Sequence, residues 1–248
     1  MRMGDVKVIY FDMGNTLIDF HKGRSDEEKD KLGIKLLTEY LSTMNSKITY
    51  KDVENKFYVK WNKAFEMRKK TYLEYPIEEY LNSFLNDYEI NLSLKQCVEA
   101  IKIFYKPYID DVVTYDNTKE VLKCIRNRGY KIGVISNTAY YDEIMKECFK
   151  KLGLYEFIDV FIFSYSLKLG KPKKEIFYKA LEKMNITPKE AIMVGDSLKN
   201  DMEPAIKVGM KAIWLNIKNK EKEVLNEPYK EVKDLDEILI YIWWNGEL

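Results

Sequence analysis

The most reactive polar residues of this chain follow short apolar runs. Asp12 comes directly after the run "VIYF", and Ser136 ends the segment "KIGVIS". A third run, "AIMVG", leads into Asp196, with Asp201 shortly after it. Lys171 stands just before a segment with helical spacing. If the runs are parallel strands, their carboxyl ends share one edge of a sheet, which is where ligands bind in open α/β folds.

This set of side chains favours chemistry on phosphate. Several carboxylates that converge repel one another and need a cation. Mg²⁺ prefers carboxylate, carbonyl and water oxygens as ligands. With the ammonium of Lys171 and the hydroxyl of Ser136, such a cation would form a cradle for a phosphoryl group, whose transfer depends on positioning and charge stabilisation. Each residue alone could be a helix cap, a turn residue or a surface lysine, whereas the set points to a site.

The hydrophobic pattern predicts the elements that position these residues. After Pro107, apolar runs alternate with amphipathic segments such as "NTKEVLKCIRNRGY" and "KKEIFYKALEKMNI". Strands that alternate with helices of about 10–15 residues indicate a parallel sheet with right-handed crossovers. The first run, at residues 7–11, has the continuous apolar character of a strand buried on both faces. We therefore expect it in the same sheet.

The stretch from residue 20 to residue 108 has a different character. Segments such as "DKLGIKLLTEYLSTM" and "IEEYLNSFLNDY" place apolar residues at helical spacing. Thr49, Pro76 and Ser93 are suited to separate or cap these helices. The chain is therefore predicted to be an α/β protein. Its doubly wound, Rossmann-like parallel sheet forms a core domain of residues 1–19 and 109–248, with an inserted all-α helical cap domain of residues 20–108.

Composition argues against several classes of protein. The chain has 41 Lys and Arg residues against 40 Asp and Glu residues, so the formal net charge is +1. A nucleic-acid binder would show a basic excess. No apolar stretch approaches the roughly 20 residues of a membrane span, so we expect no membrane partner. The three cysteines form no CxxC pair, which favours reduced thiols in a cytoplasmic protein over a zinc site.

Four segments resemble the signature motifs of a known family. "FDMGNTL", "VISN", "GKPKKEIF" and "VGDSLKND" are similar, in order and in place, to the four motifs of the haloacid dehalogenase-like hydrolase superfamily. Each motif alone is weakly specific, but four in sequence are strong, and they span the predicted core. The helical insertion resembles the α-helical cap of the phosphatase and dehalogenase branches. Only about 30 residues separate the second and third motifs, too few for the larger α/β cap of other branches.

The resemblance implies a role for each matching residue. Asp12 is expected to be the nucleophile that forms an aspartyl-phosphate, and Lys171 to neutralise charge between Asp12 and the phosphoryl group. Asp12 and Asp196 are expected to ligate Mg²⁺, with Asp201 at or next to the metal. The other expected roles are metal ligation by the backbone carbonyl of Gly14, orientation of the turn by Thr16, and binding of phosphate oxygens by Ser136 and by the backbone of Asn137.

The chain departs from the family pattern at Gly14. The common first motif has a second aspartate at this position, which protonates the leaving group and later activates water. Its absence removes general acid–base help that is typically worth about 10²–10⁴-fold. Metal binding is unaffected, because the family uses only the backbone carbonyl of this residue. Asp19 and His21 are conceivable substitute acids, and we interpret both as solvated residues at the hinge between the two domains.

The expected function is a Mg²⁺-dependent phosphatase of a small phosphorylated metabolite. One alternative is a haloacid dehalogenase-type C–X hydrolase, and another is a catalytically weak protein that binds a phosphorylated ligand. Asp196 favours the phosphatase, since the dehalogenases of the superfamily resemble a metal-free design that replaces this acid. The joint presence of Asp12, Lys171, Asp196 and Asp201 argues against a passive binder. We expect a monomer or a homodimer that acts on a small phosphorylated substrate.

Overall fold

A computed structural model describes residues 6–217 and 229–243. The strands of these residues are β1 Val8–Phe11, β2 Ile18–Asp19, β3 Val113–Thr114, β4 Lys131–Ser136, β5 Val160–Phe163, β6 Ala191–Gly195, β7 Lys211–Leu215 and β8 Lys230–Val232. The α-helices are α1 Asp26–Ser42, α2 Tyr50–Asp52, α3 Val59–Thr71, α4 Ile77–Asn86, α5 Leu94–Asp111, α6 Thr118–Asn127, α7 Asp142–Lys151, α8 Ser164–Leu167, α9 Lys174–Met184, α10 Glu203–Lys207 and α11 Ile238–Trp243.

Six strands form one parallel sheet in the order β5–β4–β1–β6–β7–β8. β1 lies between β4 and β6, and Phe11 is level with Val134 on one side and Val194 on the other. All residues of β1 and β6 are buried, which accounts for the continuous apolar runs in the sequence. The predicted doubly wound, Rossmann-like sheet is confirmed.

Helices connect the strands as the alternating pattern predicts. α6 precedes β4, α7 leads to β5, and α9 leads to β6. The apolar face of α9 packs in the same buried cluster as β1 and β6, with Ile176, Phe177 and Ala180 fully buried. The hydroxyl of Tyr10 in β1 donates a hydrogen bond to the carbonyl oxygen of Ala180 at 2.7 Å. The buried core of the sheet thus fixes the strand ends that carry the predicted site.

The described residues divide into two compact units. The first comprises residues 6–19, Val113–Asn137, 149–217 and 229–243, and the second comprises Phe20–Val112 and Thr138–Cys148. The predicted helical insertion at 20–108 lies within the second unit. The segment Thr138–Cys148, which the sequence pattern placed with the sheet, also belongs to the second unit. The assignment of a core domain and a cap domain stays a prediction.

The second unit is built from α1 to α5, with a π-helical segment Val53–Tyr58 directly before α3. Its helix starts carry reciprocal capping hydrogen bonds at Ser25, Thr49 and Ser93. The aromatic ring of Tyr140 packs in this unit as well, with ring centroids 5.7 Å from Trp61 and 4.1 Å from Tyr105. This aromatic packing explains why a segment far along the chain joins the helical unit.

In the described part of the chain, none of the helices combines the length and the apolar character that crossing a bilayer requires.

Candidate active site

The turn after β1 presents Asp12 at the middle of the sheet edge. The amide of Asp12 donates to the carbonyl oxygen of Val194 at 2.9 Å, so pairing with β6 continues up to this residue. The chain then turns, and the amide of Ile18 donates to the carbonyl oxygen of Met13 at 3.0 Å. Gly14 and Ile18 form an isolated bridge. These backbone contacts hold the turn, while the Asp12 side chain is 12% exposed.

Lys171 is the electrostatic centre of the site. Its ammonium donates to Oδ1 of Asp12 and to Oδ1 of Asp201, each at 2.6 Å, and the side chain is only 3% exposed. Burial lowers the pKa of Lys171, but the adjacent carboxylates of Asp12 and Asp201 outweigh that effect and raise it overall. The ammonium therefore keeps its charge at neutral pH.

The side chain of Asn137 positions the loop that carries Lys171. Its Oδ1 accepts from the backbone amide of Lys171 at 2.7 Å, and its Nδ2 donates to the carbonyl oxygen of Lys171 at 2.9 Å. Gly170 makes this pairing possible, because a Cβ there would come within 2.5 Å of Asn137 Oδ1. The motif resemblance implied a role only for the backbone of Asn137, so sequence reasoning missed this function. Gly170, directly before Lys171, was the sequence feature that could have indicated this close contact.

Asp201 is almost completely buried next to Lys171. One carboxylate oxygen accepts from Lys171, and the other accepts from the backbone amide of Ser197 at 3.0 Å. Burial raises the pKa of Asp201 well above its usual range, and the nearby Asp12 and Asp196 add to the rise, although Lys171 opposes it. Because both of its oxygens already accept hydrogen bonds, Asp201 is suited to hold the Lys171 ammonium in place.

Three carboxylates converge at this edge of the sheet. Single oxygens of Asp12, Asp196 and Asp201 lie within 4.8 Å of one another. The indole Nε1 of Trp214 donates to the carbonyl oxygen of Asp196 at 3.1 Å and fixes the chain there. Lys171 supplies one positive charge against three carboxylates, so their repulsion is only partly offset. The oxygen donors, their spacing and the excess negative charge fit a hard divalent cation.

Ser136 and Thr16 lie in the same unit as Asp12, whereas His21 does not. Ser136 ends β4, directly beside β1, and is 3% exposed. Thr16 is fully buried in the turn, and its hydroxyl makes no hydrogen bond to any residue that the structure describes. The orientation of the turn by the Thr16 side chain therefore stays a prediction. His21 belongs to the second unit, where its Nδ1 lies 3.0 Å from a carboxylate oxygen of Asp26.

A comparison with protein families matches residues 6–209 to the haloacid dehalogenase-like hydrolase model. The chain belongs to the haloacid dehalogenase-like hydrolase family. The resemblance of the four motifs is thereby confirmed, and the chain is a hydrolase. The strand ends that the motifs occupy are those where Asp12, Ser136 and Asp196 lie.

Curated relatives of this hydrolase carry phosphatase names. A glyceraldehyde 3-phosphate phosphatase of Pyrococcus furiosus is 25% identical over 94% of this chain and 89% of its own length. A putative pyrophosphatase PpaX of Clostridium perfringens is 25% identical over 77% of this chain and 76% of its own length. Both similarities extend over most of the two chains that are compared.

Solved structures share the fold of the hydrolase. A HAD phosphatase from Thermococcus onnurineus has a TM-score of 0.61 at 24% identity, covering 94% of this chain and 98% of that one. A 2-haloacid dehalogenase from Pseudomonas syringae has a TM-score of 0.65 at 18% identity, covering 96% of this chain and 99% of that one. At these identities the likeness shows the α/β fold and does not discriminate between the two activities.

Proposed function

We propose that this hydrolase is a Mg²⁺-dependent phosphatase that acts through an aspartyl-phosphate on Asp12. The observation that carries the proposal is the buried Lys171 ammonium, bound at 2.6 Å to both Asp12 and Asp201 beside the carboxylate of Asp196. A positive charge next to a nucleophilic carboxylate, within an acidic cluster, suits the transfer of an anionic phosphoryl group.

In the proposed reaction, a carboxylate oxygen of Asp12 attacks phosphorus and the bond from phosphorus to the leaving oxygen breaks. Water then attacks the aspartyl-phosphate, which releases phosphate and regenerates Asp12. Lys171 stays protonated throughout and offsets the charge of the phosphoryl oxygens. The hydroxyl of Ser136 and the backbone amide of Asn137 donate hydrogen bonds to the phosphate.

Asp12, Asp196 and the backbone carbonyl of Gly14 would hold Mg²⁺, with Asp201 supporting them through Lys171. When bound, Mg²⁺ supplies charge neutralisation and polarises the phosphoryl group. Carboxylate and carbonyl oxygens are ligand types that this ion prefers.

A metal-free dehalogenase is the second enzyme candidate. The dehalogenase cited above shares the fold at 18% identity, whereas the curated relatives cited here are named phosphatases. Asp196 also favours the phosphatase, because a C–X hydrolase without a metal has no use for this extra carboxylate. A passive phospho-ligand binder is disfavoured because the Asp12–Lys171–Asp201 arrangement would be costly to maintain without catalysis.

The proposed substrate is a small phosphorylated metabolite, in line with the names of the phosphatase relatives. The helical domain is proposed to act as the cap that selects this substrate. Cys97, Cys124 and Cys148 form no disulfide in the part of the chain that the structure describes, which supports the proposed cytoplasmic location. We further propose a monomer or a homodimer.

Hydrolysis of p-nitrophenyl phosphate with and without Mg²⁺ tests this proposal, with Asp12→Asn as the control. We expect turnover that requires Mg²⁺ and disappears in the variant, because an amide cannot act as the nucleophile. Turnover that survives in Asp12→Asn would contradict the covalent route. Activity on a haloacid in the presence of EDTA would favour the dehalogenase instead.

A further inference from the structure

Gly14 leaves the proposed phosphatase without an acid at the position where the first motif usually has one. Phosphate esters with poor leaving groups need a proton on the departing oxygen. The turn after β1 brings the backbone of another acidic residue close to this position. Gly14 pairs with Ile18, the amide of Asn15 donates to the carbonyl oxygen of Ile18 at 3.0 Å, and Asp19 is the next residue.

A short ladder holds Asp19 in place. β2 pairs antiparallel with β3, so Ile18 is opposite Thr114 and Asp19 is opposite Val113. All these residues belong to the first unit, together with Asp12. The backbone of Asp19 is therefore fixed one residue beyond the bridge partner of Gly14, and its side chain is partly buried. The boundary between the two units falls directly after Asp19, and the interpretation of Asp19 as a solvated hinge residue stays a prediction.

The phenol of Tyr115 is subject to the charges of Asp19 and of Asp196, a member of the carboxylate cluster. It follows β3 directly and is partly buried. Burial raises the pKa of Tyr115 to about 12, and the charges of Asp19 and Asp196 add to the rise. The charges of Asp19 and Asp196 therefore act on the same phenol, and both residues belong to the first unit.

We propose that Asp19 supplies the acid–base function that is absent at Gly14, an inference that rests on the proposed phosphatase activity. In the first step, Asp12 attacks phosphorus, the ester P–O bond breaks, and the Asp19 carboxyl gives its proton to the departing oxygen. In the second step, the Asp19 carboxylate takes a proton from the water that attacks the aspartyl-phosphate. The proton that Asp19 gives up in the first step thus returns to it in the second.

Asp19→Asn tests this role through two esters that differ in leaving group. For glyceraldehyde 3-phosphate, an alkyl ester, we expect kcat/KM to fall about 10²–10⁴-fold. For p-nitrophenyl phosphate we expect kcat/KM to change less than about tenfold, because p-nitrophenolate leaves without a proton. Slow hydrolysis of the intermediate should also produce a burst of about one equivalent of p-nitrophenolate per site.

Two further variants sharpen the test. Asp116→Asn removes an exposed carboxylate next to Tyr115 and should keep the wild-type ratio of the two kcat/KM values. Adding Gly14→Asp to Asp19→Asn should restore the ratio, because it returns the acid to the usual position. The inference is overturned if a folded Asp19→Asn chain keeps the wild-type ratio of the two kcat/KM values. It is also overturned if Asp116→Asn changes that ratio as much as Asp19→Asn does. A wild-type chain that hydrolyses neither ester refutes the phosphatase proposal itself, and this inference with it.

Discussion

Lys171 carries the charge balance of the site, because its ammonium lies between two buried carboxylates. Removing only one partner of such a cluster leaves uncompensated charge in a place that water does not reach. The same ammonium also neutralises the proposed phosphoryl group. Stability and activity are therefore coupled at this residue, and the two effects can be measured separately.

We expect Lys171→Met to destabilise the chain by about 3 kcal/mol in the presence of EDTA, since Asp12 and Asp201 lose their shared cation. Urea unfolding of the variant and the wild type gives the difference. Lys179→Met is a matched control, because its ammonium pairs at 2.7 Å with the exposed Glu182. That pair should contribute less than about 1 kcal/mol. Similar losses in the two variants would contradict the electrostatic role of Lys171.

Single residues of the site were predictable from the sequence to different degrees. Asp12, Ser136 and Asp196 follow apolar runs, so the rule for parallel strands places them on one edge. The amide side chain of Asn137 could not be assigned, because its partner is the backbone of a loop 34 residues away. Nor could the closeness of Asp19 and Tyr115 be foreseen, since it depends on a tertiary pairing between distant segments.

At the scale of elements, the Arg24–Asp111 pair joins the chain before α1 to the end of α5. The backbone amide and Nε of Arg24 both donate to Asp111 Oδ2 at 2.9 Å, and an Nη donates to Oδ1 at 2.6 Å. These hydrogen bonds from Arg24 lower the pKa of Asp111 to about 2. The pair ties the two ends of the helical segment Phe20–Val112 together.

The stabilisation by Asp111 should depend on pH in a defined direction. A lowered carboxyl pKa means that the stabilisation is complete above the unfolded value near 3.8 and is lost as the pH falls towards 2. After allowance for solvent screening, Asp111→Asn should cost about 1 kcal/mol at pH 7. Unfolding at pH 7 and at pH 2 provides the measurement, with Asp110→Asn as the neighbouring control. A difference between variant and wild type that persists at pH 2 would contradict this account.

The long, periodic elements were predictable and the very short ones were not. Buried runs such as "AIMVG" have no alternation and are bounded by polar residues, so they indicate central strands. β2 and β3 contain two residues each, which is too short for a periodic pattern. Within the segment "NDMEPAIKVGM", a π-helical turn ends at Met202 and α10 follows it. Asp201 and Met202 are buried in this turn, and a local change in winding of this kind is not encoded in the hydrophobic spacing.

At the scale of the whole molecule, binding of the proposed cation should raise the stability of the entire chain. A ligand that binds only the folded state adds about 2.7 kcal/mol at one hundred times its dissociation constant. We therefore expect Mg²⁺ to raise the melting temperature of the EDTA-treated chain, and Asp196→Asn to abolish most of this rise. Asp116→Asn, an exposed acid outside the cluster, should preserve it. A full Mg²⁺ effect in Asp196→Asn would exclude this carboxylate as a ligand.

The division of the chain into two units was only partly readable from the sequence. The stretch of helical spacing from residue 20 lies in one unit, as its composition suggested. The segment Thr138–Cys148 could not be placed in that unit, because its membership depends on the packing of Tyr140 against Trp61 and Tyr105. Local hydrophobic patterns predict helices and strands, whereas the assignment of these elements to a unit depends on contacts between side chains that are distant in sequence.

The second unit is formed by two separate segments of the chain, which limits how domains can be exchanged between members of the family. The chain crosses from one unit to the other at four points, after residues 19, 112, 137 and 148. A transplant of residues 20–112 into a relative would be one continuous cassette, but it would leave Tyr140 behind without its ring neighbours Trp61 and Tyr105. Recombination between relatives should therefore succeed more often when residues 138–148 are exchanged together with the helical insertion.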